Sequence, residues 1–249
     1  MKIIFLGTNG WFNTNTGNTP CILIETEEKY IILDAGDGIR KIDQYIKKKK
    51  PVYLFLSHFH LDHLSGLHIL DKFDSLNFIK EVNVYGPPAL KKVFQTIVNR
   101  PYTVYYKDLK TKIILNPLTK KTFLSFKFEY RELLHSSQCF GYRFSLENKI
   151  ITYCTDTGVC DNLLYLAKKA DLLITECSFK SGQENPDWPH LNPEEAASMA
   201  KKSQAKKLAL THFDANRYRT IKERKESEKI AQKTFPNTLA AVDNLEISI

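Results

Sequence analysis

The segment SHFHLDHLSGL, residues 57–67, concentrates side chains that bind metal ions. Three of the seven histidines in this 249-residue chain, His58, His60 and His63, fall within it, and Asp62 stands among them. Neutral imidazole and carboxylate are the usual protein ligands of zinc and similar ions. The alternative is a polar loop that happens to be rich in histidine, and the rest of the chain decides between the two.

Other acidic and imidazole side chains follow apolar runs of strand length. Catalytic groups collect at such strand ends because the sheet holds the following loops rigidly. The residues placed in this way are His58, His135, Asp156, Glu176 and His212. A chance scatter would not choose these positions repeatedly, so we predict that these strand ends meet at one site.

The candidate ligands fit two metal ions better than one. A tetrahedral zinc takes three or four ligands, and this chain offers five histidines and two aspartates in suitable positions. Two ions about 3.5–4 Å apart can share a carboxylate and a bridging hydroxide. We assign His58, His60 and His135 to one ion, and Asp62, His63 and His212 to the other, with Asp156 bridging. Zinc is the default for such a histidine-rich site, and manganese or iron can occupy the same ligands.

The elements that must position these residues are mainly strands. The run VYLFL is continuous, as in a strand buried on both faces, whereas FKFEY alternates, as in a half-buried strand. The predicted strands are KIIFL (2–6), CILIE (21–25), YIILD (30–34), VYLFLS (52–57), KIIL (112–115), FKFEY (126–130), CFGYRF (139–144), IITYCT (150–155), DLLIT (171–175) and KLALT (207–211).

Helical patterns lie between the strands. The pattern near residue 193 has the clearest start, with Asn192 as N-cap and Pro193 in the first turn. The predicted helices lie near residues 38–49, 65–72, 88–98, 161–169, 193–203 and 219–234. We predict one α/β domain over residues 1–249, with two sheets packed on each other and helices outside.

The composition is that of an ordinary globular chain, with 43% hydrophobic and 26% charged residues. No apolar run is long enough to span a membrane, so we expect no membrane association. Five scattered cysteines without a CxxC pair favour a reducing cytoplasm. The net charge of +8 favours anionic partners and permits RNA or phosphate substrates.

The segment HFHLDH resembles the HxHxDH signature of the metallo-β-lactamase fold superfamily. His135, Asp156 and His212 follow in the order of that family's later motifs. LDAGDG at 33–38 is similar to the family's first motif. The aspartate of that motif, here Asp34, does not bind the metal itself but hydrogen-bonds to its ligands. The resemblance covers nearly the whole chain and implies a four-layer αββα sandwich with a dinuclear site at one edge.

Three further details narrow the resemblance. Position 156 is Asp, where the zinc β-lactamases use Cys, which argues against antibiotic hydrolysis. Two segments resemble motifs of ribonuclease Z and its phosphodiesterase relatives: TECSF at 175–179 and PHLNPEEAASMA at 189–200. In those enzymes a Glu and a His adjoin the metals, and the matching residues here are Glu176 and His190. THFDANRY at 211–218 is similar to the closing motif HFSxRY, with one residue more before Arg217.

This branch implies hydrolysis of a phosphodiester by a metal-bridged hydroxide. We expect His190, oriented by Glu176 and close to Asp62, to protonate the leaving alkoxide as general acid. Arg217 and Arg143 are candidates for binding the substrate.

Ribonuclease Z usually carries a protruding arm that grips tRNA, and only 21 positions separate His135 from Asp156, where the bacterial short form inserts it. The sequence therefore favours a compact substrate, such as a cyclic phosphodiester, a nucleotide or an RNA end. The first alternative is a ribonuclease Z without the arm, which cuts tRNA 3′ ends and binds through its basic surface, for example through residues 71–112. The others are an ester or thioester hydrolase and a non-catalytic metal-binding protein. Proteins similar to ribonuclease Z are often dimers, so the resemblance also implies a homodimer.

Overall fold

The apolar runs of the chain form two β-sheets that pack face to face. A computed structural model describes residues 1–120 and 122–249. Within that part of the chain, the first sheet has seven strands in the order β15-β1-β3-β4-β5-β6-β7. Its strands are β1 (Lys2–Gly7), β3 (Cys21–Glu25), β4 (Tyr30–Leu33), β5 (Val52–Phe55), β6 (Glu81–Gly86), β7 (Lys112–Pro117) and β15 (Leu245–Ser248).

The second sheet has six strands in the described ranges, in the order β14-β12-β11-β10-β9-β8. They are β8 (Lys127–Glu132), β9 (Phe140–Leu146), β10 (Lys149–Cys154), β11 (Leu172–Glu176), β12 (Leu208–Thr211) and β14 (Thr238–Ala240). A two-residue ladder joins β2 (Asn9–Gly10) to β13 (Phe213–Asp214) and thereby ties a loop of the first sheet to the end of the second.

Helices cover the outer faces of both sheets. They are α1 (Leu61–Leu64), α2 (Lys72–Ser75), α3 (Leu90–Ile97), α4 (Asp161–Ala167), α5 (Pro193–Lys202) and α6 (Ile221–Gln232), with 3-10 helices at Asp37–Gln44, Ser65–Ile69 and Tyr106–Asp108. The capping box of α5, in which Asn192 and Glu195 bond each other's backbone N–H, confirms the predicted start of that helix. No helix among the described residues is long and apolar enough to cross a membrane.

Among the described residues, three buried hydrophobic clusters lie between the layers of the molecule. Between the sheets, Phe55 of β5 packs edge-on against Phe144 of β9, with ring centroids 5.0 Å apart. A second cluster lies between the first sheet and its helices, and a third between the second sheet and α4, α5 and α6. This arrangement is the expected four-layer αββα sandwich.

Strand directions bring the site together. β4 and β5 run parallel, and so do β10, β11 and β12. Carboxyl ends of parallel strands lie at the same edge of a sheet, and both sheets present theirs to one end of the sandwich. Between His135 and Asp156 the chain forms the antiparallel pair β9–β10, so this span holds no protruding arm.

Several elements differ from their predicted form. The helix expected near 38–49 is a 3-10 helix that ends at Gln44, and the one near 65–72 is divided between two short helical segments. Strands β6, β14 and β15 were not predicted. Each is short or carries exposed polar residues, and its pairing with neighbours distant in sequence, as of β15 with β1, makes it a strand.

Candidate metal centre

One group of ligand atoms gathers around His58, which follows β5. The donor atoms of His58, His60, His135 and Asp156 all lie within 4.8 Å of one another. Nδ1 of His60 is 3.2 Å from Nε2 of His135. Nε2 of His58 is fully buried and has no hydrogen-bond partner among the described residues, although buried polar atoms are normally paired. A cation at the centre of this group would satisfy that nitrogen.

A second group gathers beside the first. Donor atoms of Asp62, His63 and His212 also lie within 4.8 Å of one another. Nε2 of His63 is 3.1 Å from Nε2 of His212, which in turn is 3.3 Å from Oδ2 of Asp62. Lone pairs of neutral imidazoles repel when they face each other, so a shared cation is the natural occupant.

The carboxylate of Asp156 stands between the two groups. Its Oδ1 is 3.0 Å from Nε2 of His212 and 3.3 Å from Nε2 of His63. Its Oδ2 faces the other way, 3.6 Å from Nε2 of His58 and 3.9 Å from Nε2 of His135. One oxygen for each group is the geometry of a bridging ligand.

Buried partners behind the ligands fix their ring orientations. Oδ2 of Asp34 lies 2.8 Å from Nδ1 of His63 and also accepts from the hydroxyls of Ser57 and Tyr153. The Ser178 hydroxyl lies 3.0 Å from Nδ1 of His212. Such contacts set the tautomer and turn Nε2 toward a metal. Asp34 has the position expected from its motif, whereas Ser57, Tyr153 and Ser178 were not predicted, because hydroxyl residues in strands and loops carry no signal of their own.

The charges of the site suit metal binding. Burial, followed by repulsion from the other imidazoles, lowers the pKa of His58 well below its usual value, and burial lowers that of His135 to about 4. Burial opposes ionisation of Asp156, yet His212 and His63 hold its pKa well below the usual range. Burial opposes protonation of His63 and His212, but contact with Asp156 outweighs it and raises the pKa of both imidazoles. Metals bind the neutral imidazole and the ionised carboxylate, so a cation in the second group would take the place of the protons on these rings. The donor set therefore fits two divalent cations.

Glu176 and His190 form a pair next to this cluster. Nδ1 of His190 is 2.8 Å and 2.9 Å from the two carboxylate oxygens of Glu176, which is fully buried at the end of β11. Burial favours the neutral ring, but contact with Glu176 raises the pKa of His190 to about 9. His190 and His135 lie side by side, with ring centroids 5.5 Å apart.

A cavity of about 580 Å³ opens over the cluster. It is lined by Gly10, Trp11, His60, Leu61, Asp62, His135, Asp156, Ser178, Phe179, Asn185, Trp188, His190, His212, Asp214, Asn216 and Arg217. Arg217 pairs with Asp214 and lies over the ring of Phe179, 4.8 Å from its centroid. The extra residue in its motif therefore does not remove Arg217 from the cavity wall.

Arg143 does not belong to this site. It lies within β9, and its guanidinium donates to the backbone carbonyls of Leu166 and Lys168 at the end of α4. The structure does not bring Arg143 together with the other predicted site residues, because its side chain bonds the carboxyl end of a helix instead.

Comparison with known proteins agrees with this geometry. The family model of the Beta-lactamase superfamily domain matches residues 29–213. The chain is 27% identical over 225 residues to the probable metallo-hydrolase YhfI of Bacillus subtilis, covering 86% of this chain and 87% of that protein. It is 28% identical to a ribonuclease Z of Pyrococcus horikoshii, over 85% of this chain and 86% of that one.

Solved structures show the same fold. The crystal structure of YhfI from Bacillus subtilis superposes with a TM-score of 0.83 at 22% identity, covering 99% of this chain and 98% of that one. Human tRNase Z, short form, superposes with a TM-score of 0.77 at 22% identity, covering 100% and 99%. These structures show that the chain has the metallo-β-lactamase fold. Because the family model spans most of the sequence, the chain belongs to the beta-lactamase superfamily.

Proposed function

We propose that the chain is a metal-dependent phosphodiester hydrolase that acts on a compact nucleotide, cyclic phosphodiester or RNA end. The observation that carries the proposal is the bridging position of Asp156, with the Glu176–His190 pair beside it in one cavity. When bound, two divalent ions would neutralise the charge of the diester and lower the pKa of a water molecule to give a hydroxide nucleophile.

The protein's own contribution is a positioned proton donor. Nδ1 of His190 is hydrogen-bonded to Glu176, so Nε2 is the ring nitrogen that can donate a proton to a substrate in the cavity. An alkoxide is a poor leaving group, and a protonated His190 supplies the proton it needs, a role typically contributing about 10²–10⁴-fold to the rate. Asp62 lies across the same cavity and accepts from the backbone N–H of Trp11 at 2.9 Å.

The compact substrate follows from the shape of the site. A cavity of about 580 Å³ is of the size that takes small molecules. The β9–β10 pair fills the span in which an arm for gripping tRNA would stand. These features support a small diester over a long RNA.

The second candidate is ribonuclease Z activity, that is, cleavage at the 3′ end of precursor tRNA. It is favoured by the relatives of Pyrococcus horikoshii and other sources that carry this name. Such an enzyme would have to hold its substrate through the basic surface alone. The net charge of +8 supplies the necessary attraction.

A side-by-side cleavage assay tests these candidates. The zinc- or manganese-loaded protein receives precursor tRNA with a 3′ trailer and, separately, a panel of cyclic and linear phosphodiesters. Turnover of small diesters with intact tRNA is the expected result, and a fast single cut of the tRNA alone would replace the first candidate by the second. Loss of activity in Asp156→Ala and His190→Ala should contrast with full activity in His68→Ala, an exposed histidine outside the site.

The remaining alternatives are separated by the same variants. A thioester hydrolase does not need a proton donor for an alkoxide, so its activity would survive His190→Ala. If a metal-loaded protein cleaves neither tRNA nor any diester, the phosphodiesterase proposal is contradicted, and esters and thioesters are the next substrates to examine.

A further inference from the structure

Two tryptophans form an exposed aromatic surface at the mouth of the cavity. Trp11 follows β2 and is 62% exposed, and Trp188, in the loop before His190, is 38% exposed. Their ring centroids lie 6.2 Å apart with a 56° tilt. Both line the cavity that contains Asp62 and His190, and they are the only tryptophans in the chain. We call them the indole pair.

Stability of the fold does not explain the indole pair. Large aromatic rings stabilise a protein by burial, yet most of the Trp11 side chain and more than a third of that of Trp188 remain exposed to water. Trp11 also has a φ of +77°, a left-handed backbone conformation that costs about 1–3 kcal/mol in a residue other than glycine. The bond from its N–H to Asp62 holds this conformation in place. Strain held by a candidate ligand indicates a role in the site.

The indole pair stands beside the reacting groups. The ring centroid of Trp188 lies 6.1 Å from that of His190, and the backbone of Trp11 is bonded to Asp62. A phosphodiester at the metal cluster would therefore have one of its substituents against the indole rings. Asn185 and Asn216 line the same cavity and offer amide donors and acceptors to that substituent.

We propose that the indole pair stacks a nucleobase, so that the preferred substrates are phosphodiesters carrying a nucleoside. This inference rests on the proposed phosphodiesterase function and names the substrate class for the same site. Every base has a flat π-face, and stacking on an aromatic side chain is tolerant of base identity. Aromatic rings with nearby amide groups suit a base better than an aliphatic chain, which would gain nothing from the amides.

Tryptophan fluorescence tests the stacking directly, because the chain's two tryptophans are both at the mouth. The zinc-loaded protein is titrated with adenosine 5′-monophosphate and with ribose 5-phosphate, which lacks the base. We expect quenching and binding about tenfold tighter or more for the nucleotide. Trp188→Leu should abolish that preference and Trp188→Phe should restore most of it, while Tyr102→Leu, which removes an aromatic ring that is 72% exposed and outside the cavity lining, should keep it.

Steady-state kinetics separate this proposal from the one on which it rests. The substrates are thymidine 5′-(p-nitrophenyl phosphate) and methyl p-nitrophenyl phosphate, which share a leaving group and differ in the nucleoside. We expect Trp188→Leu to lower the ratio of their kcat/KM values about tenfold. Hydrolysis of both diesters without preference, and with that ratio unchanged in the variant, would overturn the stacking proposal and leave the phosphodiesterase intact. A binding preference for the nucleotide without hydrolysis of any diester would overturn the phosphodiesterase proposal and leave the stacking proposal intact.

Discussion

His190 is the residue that carries the proton used in the proposed reaction. After the opposing effect of burial, contact with Glu176 raises its pKa to about 9, and divalent ions nearby would lower that value again by repulsion. As a general acid it must be protonated, so we expect kcat/KM to fall on the alkaline side with a midpoint between 6.5 and about 9. Glu176→Gln should move this midpoint down, as measured in a pH–rate profile at saturating metal.

An alkaline midpoint that is identical in Glu176→Gln and the wild type would contradict this role. The same pair also affects folding. Because the pKa of folded His190 lies above its ordinary value of 6.5, the pair's stabilising contribution is complete below that pH and is lost as the pH rises through about 9.

Asp156 is the residue that the two proposed ion positions would share. Its two oxygens face different groups of ligands, so Asp156→Asn should weaken both ions, whereas Asp62→Asn should weaken only the one bound with His63 and His212. Elemental analysis after dialysis should give two ions per chain for the wild type, one for Asp62→Asn and fewer for Asp156→Asn. Equal metal content in all three proteins would rule out the bridging assignment.

At the scale of the elements, the short β2–β13 ladder holds the loop of Trp11 against His212. A Cβ atom added to Gly10 would lie 2.5 Å from Cε1 and 2.7 Å from Nδ1 of the His212 ring. Gly10→Ala should therefore displace this ring and weaken metal binding about 10–100-fold, as other disturbances of a ligand's support do. Competition with a chelating dye measures the change. Gly182→Ala is the control: it places a side chain at a φ of +71°, where backbone strain is expected, but no described atom lies within 4 Å of its added Cβ. An equal loss of metal binding there would refute the steric explanation.

Helix α6 supports the same loop through a buried arginine. The guanidinium of Arg224 is fully buried, donates to Thr8, Asn9 and Thr16, and stacks on Phe213. Arg224→Ala leaves several buried acceptors unpaired, and we expect it to lower the free energy of unfolding by about 3 kcal/mol or more. Urea denaturation measures this loss. The exposed Arg219→Ala should change it by less than about 0.5 kcal/mol; similar losses in the two variants would contradict the supporting role.

At the scale of the whole molecule, the candidate metal ligands come from the ends of both sheets. His58 extends from the first sheet and Asp156 and His212 from the second, so bound ions would cross-link the sandwich. Metal that binds only the folded chain raises its stability with concentration. We expect Tm to rise with added zinc or manganese and to fall with a chelator, as followed by calorimetry. The Tm of Asp156→Ala should depend little on metal. A wild-type Tm that is equally independent of metal would contradict the proposed metal site.

The sequence by itself determined the residue types of the site, their order and their placement after apolar runs, because strand periodicity and strand ends are local properties. It also indicated the Glu176–His190 pair through the resemblance of its motifs. The tertiary structure decided which distant loops meet. In the folded chain Arg143 bonds the end of α4, and each carboxylate oxygen of Asp156 faces a different group of ligands. Trp11 lies beside Trp188. Such contacts depend on how two sheets pack and on which edges adjoin, and no local pattern encodes that.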